Sequence, residues 1–250
     1  MEDQVAVAPL GTCNFALLER KDPAEIKKLL DVSISAGFFY LDFTSSQVES
    51  LPEQKGRLLE VMKGYFSQPM ETKMLDSRNS TTRGFVSKGS FSAVDPNKSK
   101  ESFEHLAFFY PGQLTHQKHT DIGSLTVLFS DEWGLQVVAP ETRKWEWIEV
   151  RKYQAVINVG DTLRFFSDKK LYSCLHRVVR EGRAAGEGHR YSIAYLLRPN
   201  DAAVFKDADG MQTTSKDFVR SKYQIYSASH SEQKGTVLTG GMEQVLGVDA

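Results

Sequence analysis

The chain has 250 residues, of which 40% are hydrophobic, with 31 lysines and arginines against 32 aspartates and glutamates. This length and composition are typical of an ordered protein that can bury a sizeable core, and they exclude a wholly disordered chain. The formal net charge of −1 supplies no positive field for a phosphate backbone, so we expect no nucleic-acid partner.

The first predicted helix begins after Asp22, which can cap it, while Pro23 suits the first turn. Gly37 is expected to end this helix. Between these points apolar residues recur at helical spacing and predict the buried face: Ile26, Leu29, Leu30 and Ile34.

A strand, a helix and a polar stretch are predicted next. Residues 38–43 are apolar and aromatic and predict a strand. A second helix is predicted over 53–65, where four residues share one face: Leu58, Val61, Met62 and Tyr65. Residues 71–104 are polar, with prominent Ser, Asn, Lys and Gly, and predict a loop.

From about residue 107 the pattern changes to short apolar or alternating runs that are separated by turn residues. Many short strands at this spacing predict an all-β barrel or sandwich. The predicted strands are 106–110, 125–129, 135–138, 145–150, 155–159, 163–166, 176–179 and 191–197. A last helix is predicted from about 214 to 226, with Ser215 as its cap.

The cellular compartment is indicated by the cysteines and by the apolar segments. Cys13 and Cys174 cannot form a disulfide framework, which favours a reducing environment. No apolar run approaches the roughly 20 residues that cross a bilayer, so no membrane partner is expected. The acidic start, Met1-Glu2-Asp3, lacks the basic region of a secretory signal. We therefore expect a cytoplasmic protein.

One pair of residues with metal-ligand chemistry stands out among the six histidines. His119 and Asp121 are two residues apart, and on an extended segment they project to the same side. His176, at the start of a predicted strand, could supply a third ligand. Two imidazoles and one carboxylate on one face form the facial triad of non-haem Fe(II) oxygenases. Taken alone the pattern is weak, and the alternative is two ordinary histidines near a turn aspartate.

A second pair repeats the same spacing on a later strand. Arg190 and Ser192 would project to one side together. A guanidinium matches a carboxylate with two hydrogen bonds, and a neighbouring hydroxyl adds another donor. One strand could therefore hold a metal while another holds the carboxylate of a co-substrate. The alternative for Arg190 is a solvated charge at a strand end.

Five segments in this order resemble the isopenicillin N synthase-like family of Fe(II)- and 2-oxoglutarate-dependent dioxygenases. They are HTDIGSLT at 119–126, GLQV at 134–137, NVGD at 158–161, HRV at 176–178 and RYS at 190–192. AGFFY at 36–40 is similar to the N-terminal strand of the family, and Tyr110-Pro111 to its Tyr-Pro element. The resemblance runs from about residue 24 to 226.

The resemblance implies a mainly β fold, in which a double-stranded β-helix (jelly-roll) core is flanked by helices. It implies that Fe(II) is bound by His119, Asp121 and His176. We accordingly expect one dioxygenase domain over 1–250: an N-terminal helix and strand cap region (1–104), the jelly-roll core with the metal and co-substrate site (105–200), and a C-terminal helix and tail (201–250).

The resemblance also implies a co-substrate and a reaction class. 2-Oxoglutarate would chelate the iron with its distal carboxylate on Arg190 and Ser192, and Tyr110 matches a position that helps to hold it. With O₂ these groups would hydroxylate, desaturate or oxidatively cyclise an organic small molecule, in specialised-metabolite biosynthesis. No catalytic side chain beyond the metal site is expected.

One segment departs from the family pattern. Relatives usually have several dozen residues between their Glu-Ser-Phe region and the Tyr-Pro element, whereas only about six separate Phe103 from Tyr110 here. We therefore expect a more accessible iron site than in relatives. An uncovered apolar rim at this site would also suit a homodimer.

Two alternatives stay open at this point. One is an Fe(II) oxidase of the same family that works without 2-oxoglutarate and takes all electrons from its substrate. Because such relatives retain an Arg-x-Ser motif, Arg190 and Ser192 do not exclude it. The other is a non-catalytic jelly-roll protein that was inactivated by loss of the middle segment, although the intact ligand set argues against it.

Overall fold

The computed structural model describes residues 5–44, 51–78, 84–87, 105–107, 118–179, 189–227 and 237–246. Twelve strands lie within them: β1 (Thr12–Asn14), β2 (Phe38–Asp42), β3 (Gly84–Val86), β4 (His105–Ala107), β5 (Leu125–Ser130), β6 (Leu135–Val138), β7 (Trp145–Trp147), β8 (Gln154–Val159), β9 (His176–Val178), β10 (Ser192–Leu197), β11 (Val204–Lys206) and β12 (Gln212–Thr214). The same residues contain seven helices: α1 (Phe15–Glu19), α2 (Pro23–Ser35), α3 (Leu51–Phe66), α4 (Met70–Met74), α5 (Asp161–Phe166), α6 (Ser215–Ser227) and α7 (Met242–Leu246). Every helix among these residues is too short or too polar to span a bilayer.

Two sheets form the body of the fold. The larger has the order β1-β2-β8-β5-β10, in which β1 and β2 run parallel and the other neighbours are antiparallel. The smaller sheet is antiparallel, with the order β7-β6-β9. Buried residues from both sheets share one core cluster: Phe38 and Tyr40 from the larger sheet with Leu135 and Val137 from the smaller. The two sheets therefore pack face to face, as the series of short strands predicts.

Strand β2 shows how both faces of the larger sheet are covered. Phe38 and Tyr40 face the core between the sheets. Phe39, between them in sequence, packs on the opposite face with Cys13 and Ile157. Side chains from α1 and α2 cover that outer face, so β2 is apolar on both sides and forms a continuous hydrophobic run.

Helix α2 occupies the predicted segment but buries a different face. Leu29 packs on the larger sheet with Val32 beside it. The other predicted core residues point to solvent, with exposures of 45%, 51% and 47%: Ile26, Leu30 and Ile34. The face of α2 that contacts the sheet also carries Glu25. This side chain is buried and accepts a hydrogen bond from the backbone nitrogen of Asn14 at 2.7 Å.

Helix α3 confirms the second predicted helix and extends it at both ends. Its predicted face is confirmed in part: Met62 and Tyr65 are half-buried, whereas Leu58 and Val61 are exposed and Leu59 is half-buried instead. The polar stretch 71–104 is not a loop throughout, because α4 enters it and β3 pairs with β4. Of the predicted strand 106–110, residues 108–110 lie outside the described residues.

The segment 163–166 was expected to be a strand, and this prediction is wrong. Residues Asp161–Phe166 form helix α5, which follows Gly160 in extended conformation. Phe165 stacks on Phe205 and meets Phe218 edge to face, so tertiary packing uses the apolar run as one helical face. A four-residue apolar run cannot by itself distinguish a buried helix from a strand.

Helix α6 begins where predicted, but its cap is one residue earlier. The Oγ1 atom of Thr214 accepts a hydrogen bond from the backbone nitrogen of Asp217 at 3.1 Å. Ser215, the expected cap, is buried instead. The polar turn before this helix closes the β11–β12 hairpin, where Oδ1 of Asp207 accepts from the nitrogens of Asp209 and Met211.

Candidate metal centre

Three side chains from two separate parts of the chain converge beside the smaller sheet. The Nε2 atoms of His119 and His176 each lie 3.6 Å from Oδ1 of Asp121. One atom suited to metal binding from each residue lies within 4.8 Å of the other two, and all three side chains are buried. The fold thus brings together the two parts of the predicted ligand set.

Backbone hydrogen bonds hold the two histidines side by side. The nitrogen of each donates to the carbonyl oxygen of the other at 3.0 Å, in the antiparallel pattern of a strand pair. The ring centroids lie 4.3 Å apart. Since His119 belongs to this extended pair, Asp121 two residues later projects to the same side.

The carboxylate of Asp121 has one restrained oxygen and one oxygen that faces the imidazoles. Its Oδ2 accepts hydrogen bonds from Oγ1 of Thr126 at 2.5 Å and from Nδ2 of Asn158 at 2.8 Å. Thr126 on β5 and Asn158 on β8 are register partners in the larger sheet. The larger sheet therefore orients a ligand that stands beside the smaller one, which leaves Oδ1 for a metal.

The ring of His176 is oriented through its other nitrogen. Its Nδ1 lies 3.1 Å from the carbonyl oxygen of Cys174. A proton on Nδ1 would donate to that oxygen and leave the lone pair of Nε2 directed at the site.

The electrostatics favour the protonation states that bind metal. Burial, together with the nearby His119, lowers the pKa of His176 to about 4, so this imidazole is neutral near pH 7. Burial alone would raise the pKa of Asp121, but His176, His119 and the hydrogen bond from Thr126 hold it well below its usual range. Neutral imidazole and ionised carboxylate are the forms in which these groups act as ligands.

This donor set fits iron of the non-haem type. Two imidazole nitrogens and one carboxylate oxygen are the ligands of the facial triad, and Asp121 and His176 each have the outer partner that orients such ligands. Three ligands on one side leave the opposite positions of an octahedral ion for other molecules.

Arg190 lines a narrow, partly open cleft between the sheets, together with Tyr40 and Leu135 from the two facing sheets. Its side chain lies against Gly134, where an added Cβ would be 2.9 Å from Nε of the arginine. Gly134 accepts a hydrogen bond from the nitrogen of Val179 at 2.8 Å. Val179 is three residues beyond His176 and follows the end of β9, so this contact links the surroundings of Arg190 to the strand that carries His176.

The structure locates one of the two other residues that were predicted to bind the co-substrate. Ser192 begins β10 and is the register partner of Ser130, which lines the same cleft. Tyr110 lies outside the described residues.

Three residues around the ligands were given no role by the sequence reasoning. Thr126 and Asn158 lie inside the HTDIGSLT and NVGD segments, so the sequence marked their positions but could not show which atoms they contact. Lys222 had no signal, because a single lysine on a predicted helix is ordinarily exposed. In the structure it is fully buried and donates to the carbonyl oxygen of Thr120 at 2.7 Å, between the two ligands of the His-x-Asp motif.

Sequence comparisons place these features among oxygenases. Residues 89–199 match the 2OG-Fe(II) oxygenase superfamily. The 2-oxoglutarate-dependent dioxygenase iboH of Amanita muscaria is 52% identical over 134 residues, which cover 52% of this chain and 65% of that protein. The 2-oxoglutarate-dependent dioxygenase FG08081 of Gibberella zeae is 31% identical over 318 residues, which cover 97% of this chain and 95% of that protein. That span exceeds the 250 residues of this chain, so the relative has residues without a counterpart here.

Structure comparison supports the same fold. A full-length protein of Neurospora crassa, solved in complex with alpha-KG, superposes with a TM-score of 0.65 at 19% identity and covers 90% of this chain and 98% of that one. The dioxygenase for auxin oxidation of rice superposes with a TM-score of 0.64, also at 19% identity, and covers 88% of this chain and 97% of that one. The predicted jelly-roll core with flanking helices is thereby confirmed.

Proposed function

Because the chain belongs to the 2OG-Fe(II) oxygenase superfamily, we propose that His119, Asp121 and His176 bind its iron through Nε2, Oδ1 and Nε2. The family and the enzyme class expected from the motifs, a 2-oxoglutarate-dependent dioxygenase that uses Fe(II), 2-oxoglutarate and O₂, are confirmed. The observation that carries the residue assignment is the convergence of these three ligand atoms within 4.8 Å in a buried site.

Bound iron would supply the oxidising chemistry with O₂: one oxygen atom would enter 2-oxoglutarate, which would leave as succinate and CO₂, and the other would oxidise the organic molecule. The chain's own residues hold the site in place. Thr126 and Asn158 fix the carboxylate of Asp121, and the carbonyl of Cys174 fixes the ring of His176. Burial of the three ligands keeps bulk water from their side of the ion.

We propose that Arg190 binds the distal carboxylate of 2-oxoglutarate, with Ser192 as a second donor and Tyr110 as a further contact. The support for Arg190 is its place in the cleft between the sheets and its contact with Gly134, whose carbonyl oxygen accepts from Val179 just beyond β9. A guanidinium is the side chain best matched to a carboxylate in such a cleft, because it offers two parallel N–H donors.

The substrate is an organic small molecule, which the enzyme hydroxylates, desaturates or oxidatively cyclises, and we propose that it belongs to specialised-metabolite biosynthesis. The curated relatives named above support this as 2-oxoglutarate-dependent dioxygenases of fungi.

We also propose the domain organisation, the cellular compartment and the partners of the protein. A single domain over 1–250 accords with the way β1 and β2, from the N-terminal cap region, join the larger sheet. Free, buried Cys13 and Cys174 accord with the cytoplasm, and the even charge balance with a protein that has no nucleic-acid partner. A homodimer is supported by β10, which is the end strand of the larger sheet among the described residues and exposes 65% of Tyr195 and 45% of Leu197.

The test of the proposed site is an anaerobic titration with Fe(II) and then 2-oxoglutarate. The wild-type protein should develop a weak visible charge-transfer band, which His176→Ala should lack. His189→Ala is the matched control, because this histidine is exposed and outside the cluster. A band of normal intensity in His176→Ala would refute the assignment.

A further inference from the structure

Lys222 is a buried cation that the proposed site does not use. It lies on α6, and its side chain has no exposed surface. Its Nζ donates three hydrogen bonds, to the carbonyl oxygen of Thr120 at 2.7 Å, to Oγ1 of Thr120 at 3.0 Å and to Oδ2 of Asp161 at 2.5 Å. An ammonium group has three protons to donate, so every one has an acceptor.

Thr120 is the residue between the two ligands His119 and Asp121. On an extended segment its side chain projects away from theirs, so it lies behind the metal site. Oγ1 of Thr120 donates to Oδ2 of Asp161 at 2.9 Å, and its carbonyl oxygen accepts from Lys222. Hydrogen bonds therefore restrain both the hydroxyl and the carbonyl oxygen of Thr120 on the side away from the metal site.

Asp161 links the same network to the remaining ligand. Its backbone nitrogen donates to the carbonyl oxygen of Asp121 at 2.7 Å. Its Oδ1 accepts from the hydroxyl of Ser173 at 2.9 Å, and Ser173 precedes His176 by three residues. The carboxylate of Asp161 thus contacts Thr120, between His119 and Asp121, and Ser173, three residues before His176.

The C-terminal part of the chain closes over this network. Gly240 lies on Asp161, where an added Cβ would collide with the carboxylate. The carbonyl oxygen of Gly240 accepts from Nη1 of Arg164 at 2.5 Å. Water is thereby excluded, and a dry hydrogen-bond network holds its geometry more tightly than a wet one.

We propose that Lys222 is a positioning residue for the metal site, acting through Thr120 on the directions of His119 and Asp121. This inference rests on the proposed function. The competing explanation is that Lys222 only neutralises the buried Asp161. The two differ in one respect, because charge neutralisation can be restored by removing both charges, whereas the contact with the Thr120 carbonyl cannot.

The test compares Lys222→Met with the double variant Lys222→Met/Asp161→Asn, using apo protein and Mn(II) alone as the probe. Calorimetric titration gives the Kd for Mn(II), and a thermal melt without metal gives Tm. The single variant should lose Tm, because it leaves a buried carboxylate without its partner. The double variant should recover most of Tm but bind Mn(II) at least about tenfold more weakly than both the wild type and Asp161→Asn alone, since the side chain of Asp161 also contacts Thr120. The visible spectrum of its Co(II) form should also differ from that of the wild type.

Lys73→Met is the matched control. Lys73, on α4, is also a buried lysine, and it donates a hydrogen bond to the carbonyl oxygen of Phe66. It should lower Tm and leave the Kd for Mn(II) unchanged. A folded double variant with wild-type Kd and Co(II) spectrum would overturn the positioning role while leaving the proposed function intact. If the wild-type protein bound Mn(II) no better than His176→Ala, the proposed function and this inference would both be wrong.

Discussion

Gly134 lies directly against the side chain of Arg190. A Cβ at position 134 would be 2.9 Å from Nε and 3.0 Å from Cδ of the arginine, and the glycine has a φ of 145° that L-residues rarely adopt. The GLQV and RYS motifs are distant in sequence, yet here the first makes room for the arginine of the second. The place of Arg190 in the cleft therefore depends on a residue that carries no functional group.

We predict that Gly134→Ala weakens 2-oxoglutarate binding without removing the metal. The added methyl group displaces Arg190, and the backbone strain costs about 1–3 kcal/mol. The Kd for 2-oxoglutarate should rise in an anaerobic titration of the Fe(II) protein, while the Kd for Mn(II) stays within a factor of two. Unchanged 2-oxoglutarate binding would show that Arg190 is not held by this contact.

Arg190→Ala should impair the co-substrate more strongly. Loss of a buried charge-assisted pair costs roughly 2–5 kcal/mol, so the Kd for 2-oxoglutarate should rise well over tenfold with the metal still bound. Ser192→Ala should cost less, about 1.5 kcal/mol for one hydrogen bond to a charged group. Normal 2-oxoglutarate affinity in Arg190→Ala would place the distal carboxylate elsewhere.

Substitution of His119, Asp121 or His176 by Ala should abolish metal binding, because each residue supplies one of three ligand atoms. The fold should persist without metal, since the core between the sheets is apolar. Saturating Mn(II) should raise the Tm of the wild-type protein and of His189→Ala by mass action, but not that of the three variants. A metal-dependent rise in Tm in the His119→Ala variant would contradict the ligand set.

Thr126→Val and Asn158→Leu should lower metal affinity although neither residue contacts the ion. Each removes one donor to Oδ2 of Asp121 and allows the carboxylate to rotate. Partners of this kind typically change metal affinity about 10–100-fold, and the double variant should exceed either single one. Calorimetry with Mn(II) measures the effect, and Thr142→Val is a control, since its hydroxyl donates to Glu146 on β7. Equal affinities throughout would show that Oδ2 needs no restraint.

The short connection between Phe103 and Tyr110 predicts a metal site that is more accessible to solvent than in relatives with the longer segment. Consumption of 2-oxoglutarate should then be poorly coupled to product unless a second copy of the chain closes the site. Sizing chromatography with a succinate-to-product ratio tests this. A monomer that forms one succinate for each product would show that the chain closes the site by itself.

The sequence by itself determined the fold class and marked the three candidate metal ligands. The short apolar or alternating runs 125–129, 135–138 and 155–159 predicted strands of both sheets, because such a run is a local property of each strand. His119, Asp121 and His176 were identifiable because metal binding restricts the residue types and their spacing.

Tertiary structure alone decided the elements that depend on partners far away in the chain. The run 163–166 became helical because Phe205 and Phe218 receive Phe165, and α2 turned its stripe of Ile26, Leu30 and Ile34 to solvent. Lys222 reaches Thr120 across 102 positions of sequence. No local pattern marks such a contact, because it exists only once a helix has packed behind the metal site.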